Sequence, residues 1–174
     1  MMLERVVRIG RTTGLRIDNV LTTVLVAELV SPSRLLWLVS PWISDVSAID
    51  NTTGGYDSVF VEASNRMYQL SEILAMLTHS GASINIVTRY DPHNDTFLER
   101  LRRLAKDENI SVIQDDDVHE KTFCGDNWLL TGSMNLTVRG MRINDEAVTY
   151  KISDQVAATA RLDLRRRFGV AYEQ

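Results

Sequence analysis

Between His119 and Asn135 the chain carries an imidazole, an ammonium, a hydroxyl and a carboxamide at spacings that can converge on one point. His119 and Lys121 are two residues apart, so in an extended strand their side chains project from the same face. Ser133 and Asn135 repeat that spacing just past a second apolar run, Trp128 to Thr131, and Gly125, Asp126 and Asn127 between the runs are a tight-hairpin signal. A hairpin folded there brings both pairs to one spot, a phosphate site with a nucleophile in it. Lysine and asparagine donate to non-bridging oxygens. A neutral imidazole can attack phosphorus, dividing one hard displacement into two easier ones through a covalent intermediate. Glu146, at the start of a later strand-like run, can accept the other ring N–H and fix the tautomer.

The elements that must hold this hairpin are readable on both sides of it. Leu3 to Ile9 fits a short strand or a helical turn. From Arg16 to Leu29 apolar residues fall at helical spacing until Pro32 stops the run, and Arg34 to Ser40 is a continuous apolar strand. Residues 41–58 are rich in turn formers and read as a long loop, which in a compact domain is more often functional than idle. Met67 to Ser80 reads as a helix ending before Gly81, Ser83 to Thr88 as a β-branched strand, and Asp91-Pro92 as the opening of a helix through Leu104. Ile110 to Ile113, His119 to Cys124 and Glu146 to Ile152 follow as strands, and Ser153 to Phe168 as a serine-capped helix. Strands alternating with helices imply an α/β fold, a mixed, mostly parallel sheet flanked by helices on both faces, in a single domain over residues 1–174.

Composition narrows the function. With 174 residues, 44% apolar and 24% charged, the chain is globular rather than disordered, collagen-like or coiled-coil. The lone Cys124 excludes an internal disulfide framework, and the expected compartment is the cytoplasm. Val20 to Val30, the most apolar stretch, contains Glu28 and is too short to span a bilayer. The net charge of −4 argues against bulk polyanion binding, but its distribution is uneven. Residues 1–40 hold five bases and three acids, residues 41–138 seven and fifteen, and residues 139–174 seven and five. Sixteen of the 19 bases are arginine, whose planar fork suits phosphate.

Other chemistry-bearing residues have plainer readings. His79 closes a helix, His93 sits on the surface of a first helical turn, and Asp115, Asp116 and Asp117 form a solvated loop. Cys124 is a core thiol, and His93, His119 and Cys124 lack the spacing of a zinc motif. Trp42 and Trp128 are more often core than stacking platforms.

The pattern His119-x-Lys121, four residues, Asp126, five residues, Gly132-Ser133-x-Asn135 resembles the signature of the phospholipase D superfamily, which has about six residues where this chain has five. Glu146, eleven residues after Asn135, matches a glutamate of the family's small members, and Ser40-Pro41-Trp42 looks like the end of its first core strand. The resemblance implies a phospholipase D-like fold, with His119, Lys121, Asp126, Ser133, Asn135 and Glu146 as site residues and neither cofactor nor metal. The family's reaction uses two such motifs, one histidine attacking phosphorus and the other protonating the leaving oxygen. A chain with one motif is therefore expected to pair with itself as a homodimer, its two histidines holding one proton between them near neutrality. The substrate classes open to such a site are nucleic acid, DNA foremost, and lipid headgroups. A noncatalytic role as a DNA-binding or assembly subunit is the third reading. The small single-motif form is similar to bacterial endonucleases, and the length and N-terminal wording resemble the phospholipase-D-like component of bacterial clusters that install deazapurines in DNA. Protein partners in a DNA-modification or restriction complex are expected on that basis.

Overall fold

Every residue from Leu36 to Val39 and from Ile84 to Thr88 is buried, as strands covered on both faces must be. They sit side by side in the middle of a seven-stranded sheet. The computed structural model describes residues 3–9, 17–133, 135–137 and 146–169. Along the chain run β1 (Leu3–Ile9), α1 (Ile17–Val30), β2 (Leu35–Val39), β3 (Ser47–Asp50), β4 (Met67–Gln69), α2 (Leu70–His79) and β5 (Ser83–Thr88). They are followed by α3 (Pro92–Leu104), β6 (Ile110–Gln114), β7 (Thr122–Cys124), β8 (Trp128–Gly132), β9 (Glu146–Ile152) and α4 (Asp154–Phe168).

The large sheet has the order β1-β9-β8-β7-β2-β5-β6. β2, β5 and β6 are bonded in parallel, and the pairings from β2 out to β1 are antiparallel. Five of the seven strands therefore point the same way. Helices cover both faces of this mixed sheet, as expected for the α/β class. One core contains Leu21 and Leu25 of α1, Leu74 of α2 and Phe97 of α3 against Leu36, Leu38, Ile84 and Phe123. On the other face Leu164 of α4 packs with Trp37, Val39, Val87 and Cys124. Burying each of these side chains contributes roughly 1.5–3 kcal/mol, so a single Leu38→Ala would cost about 2–5 kcal/mol with its cavity.

Local signals set the helix ends. Asp91 accepts from the His93 amide ahead of Pro92, Ser153 accepts from the Val156 amide, and α4 stops at Gly169 in the left-handed conformation. Three expectations need correction. The stretch 41–58 is not all loop: β3 lies inside it and pairs with β4, a partner seventeen residues further on. The following helix starts at Leu70 rather than Met67, because Met67–Gln69 is used by that pairing and Gln69 with Glu72 forms a capping box. His119 and Lys121 precede β7 instead of lying in it, since only Thr122–Cys124 is hydrogen-bonded as a strand. β1 resolves as a strand, paired with β9 along its whole length. Among the described residues no helix is long and apolar enough to cross a membrane.

Candidate active site

Because β7 runs against β2, the start of β7 and the ends of β2, β5 and β8 share one edge of the sheet. Loops leaving the carboxyl ends of parallel strands are where open α/β sheets hold ligands. His119 is exposed there and Lys121 half-buried, its Nζ donating to the His119 carbonyl at 2.8 Å. The Gly132 amide donates to the Lys121 carbonyl at 3.3 Å, joining the two halves of the motif. A Cβ on Gly132 would overlap the Ala147 carbonyl oxygen, so only glycine lets β8 approach β9 this closely. Ser133 then closes the β9 end: its amide donates to the Ala147 carbonyl at 3.1 Å and its Oγ accepts from the Ala147 amide at 3.2 Å.

Asn135 is half-buried, and its Oδ1 is buried with no hydrogen-bond partner among the described residues. Its neighbour Leu136 is bridged to Ile43, and the Ser44 amide donates to the Leu136 carbonyl at 2.8 Å, which ties this segment to the loop after β2. A small, almost wholly apolar cleft, with Val39, Lys121, Phe123, Leu130, Leu136 and Val148 in its lining, lies at the same edge. Glu146 begins β9 opposite Ile9. The expectation that its carboxylate backs the imidazole falls on a side chain outside those the structure describes.

Asp126 is separated from the others. It sits in the turn between β7 and β8, beyond the far end of the strand that His119 and Lys121 precede, five residues or about 16 Å of extended chain from the lysine. Its Oδ2 accepts from the Arg34 amide at 2.9 Å, and its carboxylate pairs with Arg34 at 3.7 Å and Arg161 at 4.0 Å. The motif's aspartate thus locks a turn at the opposite end of the hairpin from His119 and Lys121. The five-residue spacing to Gly132 reflects a tight turn at that far end.

Arg89 and Asn94, which pattern reading passed over, complete the edge together with Trp42 and Asp91. Arg89, just after β5, donates through Nε to the Val118 carbonyl at 2.8 Å, and its Nη2 lies 2.9 Å from Nδ1 and 3.0 Å from Nε2 of His119. The Arg89 guanidinium also lies over the Trp42 ring, 5.1 Å from its centroid. Trp42, half-buried rather than core, donates through Nε1 to Asp91 at 2.9 Å. The His93 amide and then that indole hold the Asp91 carboxyl below the usual range. Asn94 is fully buried; its Oδ1 accepts from the Ile43 amide at 2.8 Å while Nδ2 donates to the Pro41 and Arg89 carbonyls. One carboxamide therefore clamps the loops after β2 and β5. The signal that could have found these residues is positional: polar side chains immediately after buried parallel strands.

The remaining candidates fall as their spacing suggested. His79 ends α2 with Nε2 3.0 Å from the Leu104 carbonyl, and exposed His93 meets Ser44 Oγ at 2.8 Å; neither contacts His119. Asp116 and Asp117 are exposed. Trp128 is core, its Nε1 donating to buried Glu28 at 2.6 Å. Burial pushes the Cys124 thiol up to about 12, which leaves it protonated and inert at neutral pH.

Residues 49–167 match the family described as cardiolipin synthase, PLD-like domain. No curated protein matches the sequence. Among solved structures the chain is similar to Nuc of Salmonella typhimurium, a phospholipase D family member, with a TM-score of 0.65 and 11% identity over 97% of this chain and 95% of that one. NucT of Helicobacter pylori gives a TM-score of 0.63 and 10% identity over 95% of both chains. The phosphatidylserine synthase of Haemophilus influenzae gives 0.60 and 14%, over 95% of this chain and 38% of the other. With the family match across most of its length and the same α/β fold, the chain belongs to the phospholipase D superfamily.

Proposed function

We propose that the protein is a metal-independent phosphodiesterase acting on DNA through a phosphohistidine intermediate, at a site completed by a second copy of the chain. The observation that carries this reading is the hydrogen bonding of Gly132 to Lys121 and of Ser133 to Ala147 at one sheet edge, where His119 stands exposed. In the first step the His119 imidazole attacks phosphorus. The P–N bond forms, the P–O bond to the leaving group breaks, and that oxygen takes a proton from the partner copy's imidazolium. In the second step that imidazole, now neutral, takes a proton from water as the water oxygen attacks phosphorus. The P–N bond breaks and both rings return to their starting states. Lys121 and Asn135 stabilise charge on the non-bridging oxygens.

The chain has three histidines, and the two others are engaged elsewhere. That supports a second imidazole from another copy, with the active-site edge as the two-fold interface. DNA is favoured by the arginine-rich ends and the small single-motif form. The acidic middle weakens nonspecific grip, so partner subunits of a DNA-modification or restriction complex, such as those that install deazapurines, supply it. The test is cleavage of DNA in excess EDTA by wild type and His119→Ala, with sizing at micromolar concentration. Chelator-resistant cleavage by a dimer, lost in the variant, is expected; cleavage that requires magnesium, survives the variant or comes from a strict monomer contradicts the proposal.

A lipid reading has one observation in its favour, the cardiolipin synthase description of the matching family. Headgroup release from vesicles without DNA cleavage would establish it instead.

A further inference from the structure

We propose that Arg89 is a substrate-contacting residue of this site, one that binds a non-bridging oxygen of the scissile phosphate beside the His119 ring. The proposal deepens the phosphodiesterase reading and rests on it for the identity of the anion.

Arg89 is held from several sides before any ligand arrives. Its carbonyl accepts from Asn94 Nδ2 at 3.0 Å, its Nε donates to the Val118 carbonyl at 2.8 Å, and its guanidinium packs on Trp42. What it lacks, among the described residues, is a carboxylate in ion-pair contact. The nearby Asp91 has its two oxygens bonded to the His93 amide and the Trp42 indole. Glu120, beside the motif histidine, is paired with Arg167. Anchored arginines inside proteins ordinarily meet a carboxylate in contact; one fixed in place whose nearby carboxylate, Asp91, acts on it only at a distance is suited to an anion from outside.

The chemistry of the contact points the same way. A guanidinium only donates, and Nη2 stands 2.9 and 3.0 Å from the two nitrogens of the His119 ring, so it lies against the imidazole without being saturated by it. Nη2 keeps a second hydrogen, and Nη1 has no hydrogen-bond partner among the described residues. The end-on fork can thus take a phosphate oxygen while Nε stays on Val118. Lys121 touches the same histidine at its carbonyl, so His119 lies between a guanidinium and an ammonium. A phosphodiester anion neutralises both.

The test titrates inorganic phosphate into wild-type protein and follows, by NMR, the ring signals of His119, assigned by their loss in His119→Gln, and the guanidinium signals of Arg89. Both sets are expected to move together. Arg89→Gln is expected to weaken phosphate at least tenfold and to lower kcat/KM on bis(p-nitrophenyl) phosphate by about 10²–10³, the loss for one preorganised donor. Arg89→Lys should recover part of the affinity. Arg89 signals unmoved by phosphate in the wild type, a readout that needs no variant to fold, overturn the proposal, as does unchanged affinity in Arg89→Gln. Phosphate binding that depends on Arg89, with no diester turned over by the wild type, leaves this contact standing and sinks the phosphodiesterase reading. Turnover equal in wild type and Arg89→Gln does the reverse.

Discussion

The two ends of the β7–β8 hairpin carry similar kinds of residue and treat them in opposite ways. At the turn, polar groups satisfy one another. Glu28, almost fully buried, accepts from Ser33 N and Oγ at 2.8 Å each and from Trp128 Nε1 at 2.6 Å. Ser33 Oγ accepts in turn from the Asp126 amide, Asp126 pairs with Arg34 and Arg161, and a Cβ on Gly125 would collide with Ser33 and Trp128. At the open end Arg89 and Lys121 meet a histidine instead of a carboxylate, and Asn135 Oδ1 is buried without a partner. Polar groups that close on themselves hold a fold. Groups held rigidly and left incomplete are available to a ligand.

The contrast can be broken by substitutions at each end, beginning with the largest expected effect. His119→Ala should abolish turnover of any diester while leaving the melting temperature within a few degrees of wild type, because the ring is exposed. Lys121→Ala and Asn135→Ala should each lower kcat/KM by about 10²–10³ with little change in stability, read by steady-state kinetics and thermal melts. At the closed end Glu28→Ala strands the Trp128 indole and both Ser33 donors, and should cost about 3 kcal/mol in denaturant unfolding. Asp126→Ala, with the carboxylate about one third exposed, should cost about 1 kcal/mol and leave the rate per folded molecule within a small factor of wild type. A loss of rate at Asp126 as large as that at Lys121 would erase the distinction between the ends.

A further effect is a pH dependence. In the folded chain burial raises the Cys124 thiol from the ordinary 9.0 to about 12. Above pH 9 the unfolded chain loses this proton while the folded chain keeps it. Stability is therefore complete below pH 9 and declines as pH rises toward 12, by at most about 1.4 kcal/mol per pH unit. Cys124→Ala should lack that part of the decline in unfolding curves taken from pH 8 to 11.

Much of this was legible in the residues, for reasons that also mark the limit. Ser83–Thr88 reads as a strand from its own composition, and α4 as a helix from its serine start, because those signals are local. The convergence of Lys121 with Gly132 follows from hairpin geometry, which the intervening turn announces. The β3–β4 pairing was not legible, since neither short segment forms without the other and the partners lie far apart in sequence. Arg89 and Asn94 were missed because their importance is wholly tertiary: nothing local in Arg89-Tyr-Asp-Pro-His-Asn94 says that one side chain reaches His119 and the other clamps two loops. That Asp126 stands apart from His119 was not legible, because motif spacing records which residues recur together, whereas only the direction of the strand says at which end each of them stands.

The open end is most directly tested by mass spectrometry of wild-type protein quenched in base during turnover of bis(p-nitrophenyl) phosphate with EDTA present. A p-nitrophenyl phosphoryl group on the peptide containing His119, absent from His119→Ala, is the result expected. Turnover with no adduct on that peptide, or with the adduct on another residue, would contradict it.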